Sequence, residues 1–201
     1  MQAKFPLLSL ITLLLVITGC CNTSREESSS GNNTNKVMEN ILKRTSIREY
    51  SDKEISHESI ENLLKAGMAA PSSRDRRPWH FVVISDKTIL QNLGENLKTA
   101  SCLTGANKAI IVCGDTDVSD NCWFLDCSAA TQNILLAATS MDIGAVWAAA
   151  YPYDDRESII REILQLPENI RPLSVIPLGY PAMEGTPKDK FDTARIHIDK
   201  W

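Results

Sequence analysis

The sequence predicts a layered α/β or α+β domain folded around one sheet. Four short apolar runs have the length and the β-branched or small-residue content of buried strands: "HFVVIS" (80–85), "KAIIVCGD" (108–115), "AVWAAAYP" (145–152) and "LSVIPLGYP" (173–181). Segments with apolar residues at helical spacing separate them, and strands that alternate with helices pack in layers. No internal repeat interrupts this pattern.

Ahead of the first element, Lys4 is the only charge before the apolar run "FPLLSLITLLLVITGC". The run suits a signal-peptide core and is short for a spanning helix, which needs roughly 20 apolar residues. It ends in Ile17-Thr18-Gly19-Cys20, small residues just before a cysteine, which resembles the lipobox of bacterial lipoproteins. An uncut N-terminal membrane helix is the alternative. The resemblance implies a signal peptide over 1–19, a lipid on Cys20, and an extracytoplasmic place in the cell envelope, anchored to a bacterial membrane. Residues 22–36, "NTSREESSSGNNTNK", carry no large apolar side chain. Such a stretch cannot bury enough surface to offset its ordering entropy, so 20–36 reads as lipidated cysteine and flexible tether. The remaining 37–201 suits one domain with its own core.

Within that domain, Val37, Ile41 and Leu42 mark a short helix over Val37–Arg44. A second helix, Ser56–Gly67, starts at Ser56 as N-cap and aligns Ile60, Leu63, Leu64 and Met68 on one face. "AAPSSRDRRPW" is polar and proline-punctuated, hence loop. Asp86–Leu97 is helical, with Ile89, Leu90, Leu93 and Leu97 in register. Asn121–Ile143 is the longest helix, Ala-rich and apolar on most of its circumference, which implies burial on several sides; Gly144 closes it. Arg156–Leu166 is the last helix, with Asp154, Asp155 and Glu157 at its positive end. A charged tail, "KDKFDTARIHIDKW", follows the final strand.

Composition narrows the function. The net charge is −4 and no Lys/Arg run interleaves with aromatics, which argues against nucleic acid. His57, His80 and His197 lack metal-ligand spacing, so no metal site is expected. Of six cysteines, Cys102, Cys113, Cys122 and Cys127 lie in the domain; none forms a C-x-x-C pair, and no disulfide is assigned. No strand leads into a Gly-rich phosphate turn, so a nucleotide, if bound, is gripped by other means.

Three stretches gather chemistry. "RTSIREYSDKEIS" (44–56) places Arg44, Ser46 and Arg48 at a helix end, where guanidinium forks and a hydroxyl can cradle a phosphate. Read alone, two exposed arginines on a solvated surface explain it as well. "APSSRDRRPWHF" puts hydroxyls, an acid and three arginines between a helix and a buried strand. "DCSAATQNILLAATSMDIGAVWAAAYP" is a buried helix returning as a strand of alanines, whose small side chains let a flat ligand approach the backbone.

In this order the pieces resemble the flavin-dependent nitroreductase family. The match covers essentially all of 37–201 and rests on R-T-S-I-R, A-P-S-S…R-P-W-H-F, D-C-S-A-A-T-Q-N-I-L-L-A-A followed by G-A-V-W, and L-G-Y-P. The resemblance implies an α+β nitroreductase-like fold: a central mixed sheet flanked by helices, in a homodimer with FMN at the interface. Arg44 and Ser46 are then expected on the FMN phosphate and ribityl chain, and Thr45 contributes backbone. Arg48 approaches the N1/C2-carbonyl edge, where negative charge develops on reduction. Pro71, Ser72, Ser73 and Asp75 come from the partner subunit. Ala149 and Ala150 face the flavin N5 region. Arg195, with Lys190 as second choice, is the late basic contact to the phosphate.

Two departures stand out. Asp75 and Arg77 stand where many relatives have Asn and Gln, and an ionised Asp75 cannot donate to a flavin carbonyl. The chain is also compact between Asp115 and Asn121, which leaves the substrate side open. The implied activity is ping-pong reduction of small aromatic, nitro or quinone-like acceptors through flavin N5, with NAD(P)H as the usual donor. That donor is scarce outside the cytoplasm. A non-catalytic flavin- or ligand-binding lipoprotein, or a related flavin reaction such as reductive dehalogenation, are the alternatives.

Overall fold

The computed structural model describes residues 30–201, with side chains from 35 onward. The expected signal peptide, Cys20 and the first part of the tether lie outside the described residues. The elements run α1 (Ser30–Lys43), α2 (His57–Met68), β1 (Trp79–Ile84), α3 (Lys87–Asn96), β2 (Lys108–Asp115), α4 (Trp123–Ser140), β3 (Gly144–Ala145), β4 (Ala148–Ala149), α5 (Asp154–Leu164) and β5 (Ile170–Gly179). Short 3₁₀ turns occupy Ser73–Asp75, Lys98–Gly105 and Thr193–Arg195.

Caps set the boundaries. Ser56 Oγ accepts from Ser59 N at 3.1 Å, and Asp86 accepts from Thr88 N at 2.7 Å and Ile89 N at 3.2 Å. Each satisfies N–H groups that the first helical turn leaves free. Helix α1 starts at Ser30 rather than Val37, inside the stretch expected as tether. Extending a nucleated helix adds one backbone bond per residue and needs no burial, so a polar segment can follow an amphipathic one.

The strand order is β1-β2-β5-β3, with β4 also on β5. Every pairing among the described residues is antiparallel, so the sheet within one chain is not the mixed sheet expected. The connection from β1 to β2 shows why. Ile84, the last residue of β1, pairs with Ala109 near the start of β2. The chain therefore leaves and returns at the same end of the sheet, and α3 sits on an excursion instead of a crossover.

The expected strand 145–152 is an edge in two pieces, β3 and β4, sharing one register on β5. The gap lies opposite Ile176 and Pro177, and Pro177 has no N–H to give the ladder. A second proline, Pro172, sits where the β2–β5 register shifts between Val112 and Cys113.

The sheet is covered on both faces. Ile110, Val112, Ile176 and Leu178 pack with α2 and α4 through Leu63, Ala130 and Ile134. Ala109, Ile111, Cys113 and Val175 pack with α3 and α5 through Leu90, Leu93 and Ile160. Alternate residues of β2 thus enter opposite layers, which is why its run is apolar throughout. Cys102, Cys113, Cys122 and Cys127 are all free thiols. Burial pushes Cys113 up to about 12.

Candidate active site

The stretch after α1 is held by its one buried residue. Ile47 donates its N–H to Ala145 O at 3.0 Å, and its carbonyl accepts from the Tyr50 hydroxyl at 2.8 Å. The Tyr50 hydroxyl also lies 3.3 Å from Pro177 O, and Ser51 N bonds Tyr180 O at 2.8 Å. Burial raises the Tyr50 hydroxyl's pKa, so it stays a neutral donor. Glycine makes the close approach possible: a Cβ on Gly144 would meet Ile47 Cγ2 at 2.7 Å, and one on Gly179 would meet Tyr50 Cβ at 2.6 Å. With Ile47 and Tyr50 anchored, the residues between and before them face outward.

A cavity of about 670 Å³ opens there, lined by Arg44, Thr45, Ser46, Arg48, Gln132, Lys188, Lys190 and others. Arg44, Arg48, Lys188 and Lys190 stand against a single lining carboxylate, Asp189. That donor set fits a phosphate-bearing ligand, because guanidinium and ammonium groups offer many donors and a local positive field. Lys190 therefore shares the cavity with Arg44. Arg195 is not in the lining; its Nε donates to Asp192 at 3.1 Å from an exposed position.

The second polar loop, 71–77, is built differently. Arg74, Asp75 and Arg77 adopt positive φ of 53°, 54° and 52°, unusual for residues with a side chain. Ser72 Oγ accepts from Arg77 N at 3.0 Å, and Ser73 N donates to Asp126 Oδ1 at 2.9 Å. Arg77 Nε donates to Asp75 Oδ1 at 2.7 Å, and its Nη2 reaches Oδ2, a bidentate pair. This hydrogen bond holds the Asp75 carboxyl below its ordinary value. Asp75 and Arg77, the two departures, thus neutralise each other. Pro71 is exposed at the start of this loop.

At the third stretch, the bulge in β5 turns Leu173 toward the edge strand. Leu173 O accepts from Ala150 N at 2.9 Å and Tyr151 N at 3.1 Å. Ala149 O accepts from Arg156 Nη1 at 2.9 Å, and Ala150 is fully buried. Behind them, Glu157 forms a bidentate pair with Arg171 at 2.8 and 2.9 Å. The Arg171 guanidinium lies over Tyr151 and Trp123 at 5.1 and 5.4 Å. Glu157 is 5 % exposed, so it is a buried ion-pair partner, whereas Asp154 and Asp155 are exposed in the first turn of α5 as expected.

A model of the nitroreductase family matches residues 41–101 and 98–180. The chain belongs to the nitroreductase family. Two similar proteins share the name "Putative NADH dehydrogenase/NAD(P)H nitroreductase". The one from Methanothermobacter thermautotrophicus is 46 % identical over 82 % of this chain and 87 % of its own. The one from Parabacteroides distasonis, a crystal structure, is 53 % identical with a TM-score of 0.81, covering 83 % of this chain and 99 % of that one. An FMN-dependent nitroreductase from Clostridium difficile superposes with a TM-score of 0.77 at 29 % identity, over 82 % of this chain and 99 % of its own.

Lys188, Gln132 and Asp126 also meet these stretches although the sequence assigns them no role: Asp126 and Gln132 stand within the D-C-S-A-A-T-Q-N motif, and Lys188 opens the charged tail. Lys188 is one of several charges in the tail, and Gln132 is an exposed polar position on an otherwise apolar helix, so neither carries a local signal of its own. Asp126 did carry one: it is a lone acid between Trp123-Phe124-Leu125 and Cys127, and a charge inside an apolar helix is rarely buried without a partner.

Proposed function

We infer that this nitroreductase-family chain is an FMN-dependent oxidoreductase, and that Arg44, Ser46 and Arg48 hold the cofactor. The observation that carries it is the cavity that brings these residues together with Lys188 and Lys190. FMN, when bound, supplies the atom that accepts and gives hydride. The chain's own residues bind and orient it. Arg44, Lys188 and Lys190 neutralise the phosphate; Ser46 and Thr45 add hydroxyl and backbone contacts. Arg48 stabilises negative charge on the ring edge. The small side chain of half-buried Ala149 leaves room for a flat ring, and the open side admits small aromatic, nitro or quinone-like acceptors.

The cofactor sits between two copies of the chain. Supporting this, Val37, Met38, Ile41 and Leu42 on α1 and Phe191, Ile196, Ile198 and Trp201 in the tail are large apolar side chains left exposed. Ser72, Ser73 and Asp75 then serve the partner's flavin. NAD(P)H is the donor suggested by the names of the relatives, and the lipobox-like Cys20 anchors the chain to a membrane.

Size exclusion followed by visible spectra, before and after FMN and then NADH, tests the reading. A dimer with bound flavin that bleaches on NADH supports it in full. A colourless protein that ignores FMN refutes it, and bound flavin that no donor or nitroaromatic turns over leaves a binding protein. Radiolabelled palmitate retained in Cys20→Ala would rule out Cys20 as the lipidated residue.

A further inference from the structure

We propose that Asp126 is the positioning residue of the 71–77 loop: the buried acid that fixes where Ser72, Ser73 and Asp75 are presented to the flavin. This rests on the functional reading above. Asp126 lies in the first turns of α4 and is only 6 % exposed. Its Oδ1 accepts from Ser73 N at 2.9 Å, and its Oδ2 has no partner among the described residues. A carboxylate is costly to bury, and here its hydrogen bond goes to a loop 53 residues away. The helix N-terminus favours the charge without using it.

The other ties of this loop are weaker by position. The pairs Ser72–Arg77 and Asp75–Arg77 are internal to the loop and exposed, so they set its shape without attaching it to anything. Arg76 reaches Val118 O at 3.4 Å, also on the surface. Among the described residues, Asp126 supplies the hydrogen bond that joins the loop to α4, a helix whose inner face is packed in the core. Placing an acceptor there fixes the Ser73 amide, and the amide fixes the hydroxyls on either side. A loop with three positive-φ residues needs such an external reference, since its own backbone does not favour one conformation.

The test uses the full-length protein and titrated FMN, followed by the flavin spectrum. Asp126→Ala removes the acceptor and is expected to weaken FMN binding about tenfold, the size of one hydrogen bond to a charged group. Asp126→Asn keeps an acceptor oxygen and should recover binding to within about threefold of wild type. Ser73→Pro deletes the donor while leaving Asp126 intact. Ser73 opens a 3₁₀ turn and Ser72 before it is extended (φ −136°, ψ 154°), both compatible with proline. It should weaken FMN beyond Ser73→Ala, which loses the same hydroxyl but keeps the N–H, and it carries the test if Asp126→Ala fails to fold. Amide hydrogen exchange over 72–77 in the flavin-free protein should speed up in Asp126→Ala and not in Asp126→Asn. FMN affinity unchanged in Asp126→Ala, or equal in Ser73→Pro and Ser73→Ala, overturns the proposal while wild type binds flavin. A wild type that takes no FMN overturns the functional reading first, and this inference with it.

Discussion

The two polar loops, 44–50 and 71–77, are held in place by opposite means. The 44–50 segment is anchored through one buried aliphatic residue, backbone hydrogen bonds and glycines that let the chain approach the sheet. The 71–77 loop has no buried apolar anchor between Pro71 and Arg77; hydroxyls, an ion pair and a distant carboxylate hold it. Apolar anchoring is insensitive to salt and pH, whereas exposed polar ties are screened and titrate. The first loop therefore belongs to the folding unit, and the second can change its polar side chains without unfolding the domain. That difference lets Asp75 and Arg77 form a bidentate pair without touching the core.

The largest effect that would test this contrast is Ile47→Ala. Removing the plug at 7 % exposure should cost about 3 kcal/mol of stability. A urea midpoint that does not move would show that the first loop is not part of the folding unit. Tyr50→Phe deletes the hydroxyl that serves Ile47 O and Pro177 O, and should cost about 1 kcal/mol by the same measurement. Asp75→Asn should leave the urea midpoint where it was, because the pair is at the surface; a shift as large as that of Tyr50→Phe would erase the distinction between the loops.

The smallest effect is a titration. The Asp75 carboxyl is held below its ordinary 3.8 by the Arg77 hydrogen bond. The tie is therefore intact above the ordinary carboxylate range and is lost as pH falls through the lowered value. Following the Asp75 carboxyl carbon by NMR should give a midpoint below 3.8 in wild type and a return upward in Arg77→Gln. Equal midpoints in the two proteins would mean that the pair does not form in solution.

Much of the fold was legible along the chain. Ser56 caps α2, Asp86 caps α3, and β1, β2 and β5 fall within a few residues of the apolar runs that predicted them. Caps and periodicity are local, so they survive reading without neighbours. The edge strand was seen as one element because the break in it comes from Pro177, which lies on another strand. The antiparallel sheet was missed for a related reason: helix alternation does not tell an excursion from a crossover.

The candidate site divides along the same line. Arg44, Thr45, Ser46 and Arg48 lie within five residues, and their motif, taken in order with three others along the chain, carried the resemblance to the family and its cofactor. Lys188 and Lys190 join them only because the chain beyond β5 returns to α1. Asp126 and Ser73 meet only because α4 packs beneath the loop before β1. Glu157 shows the limit most plainly, since an acid in a first turn reads as a dipole partner until Arg171 is found beside it. The sequence by itself determined which segments are helix and strand and which short motifs carry anion-binding chemistry, because those depend on near neighbours. Only the tertiary structure decided which charges are buried and which loops share a cavity, because burial and field are summed over residues far apart in the chain.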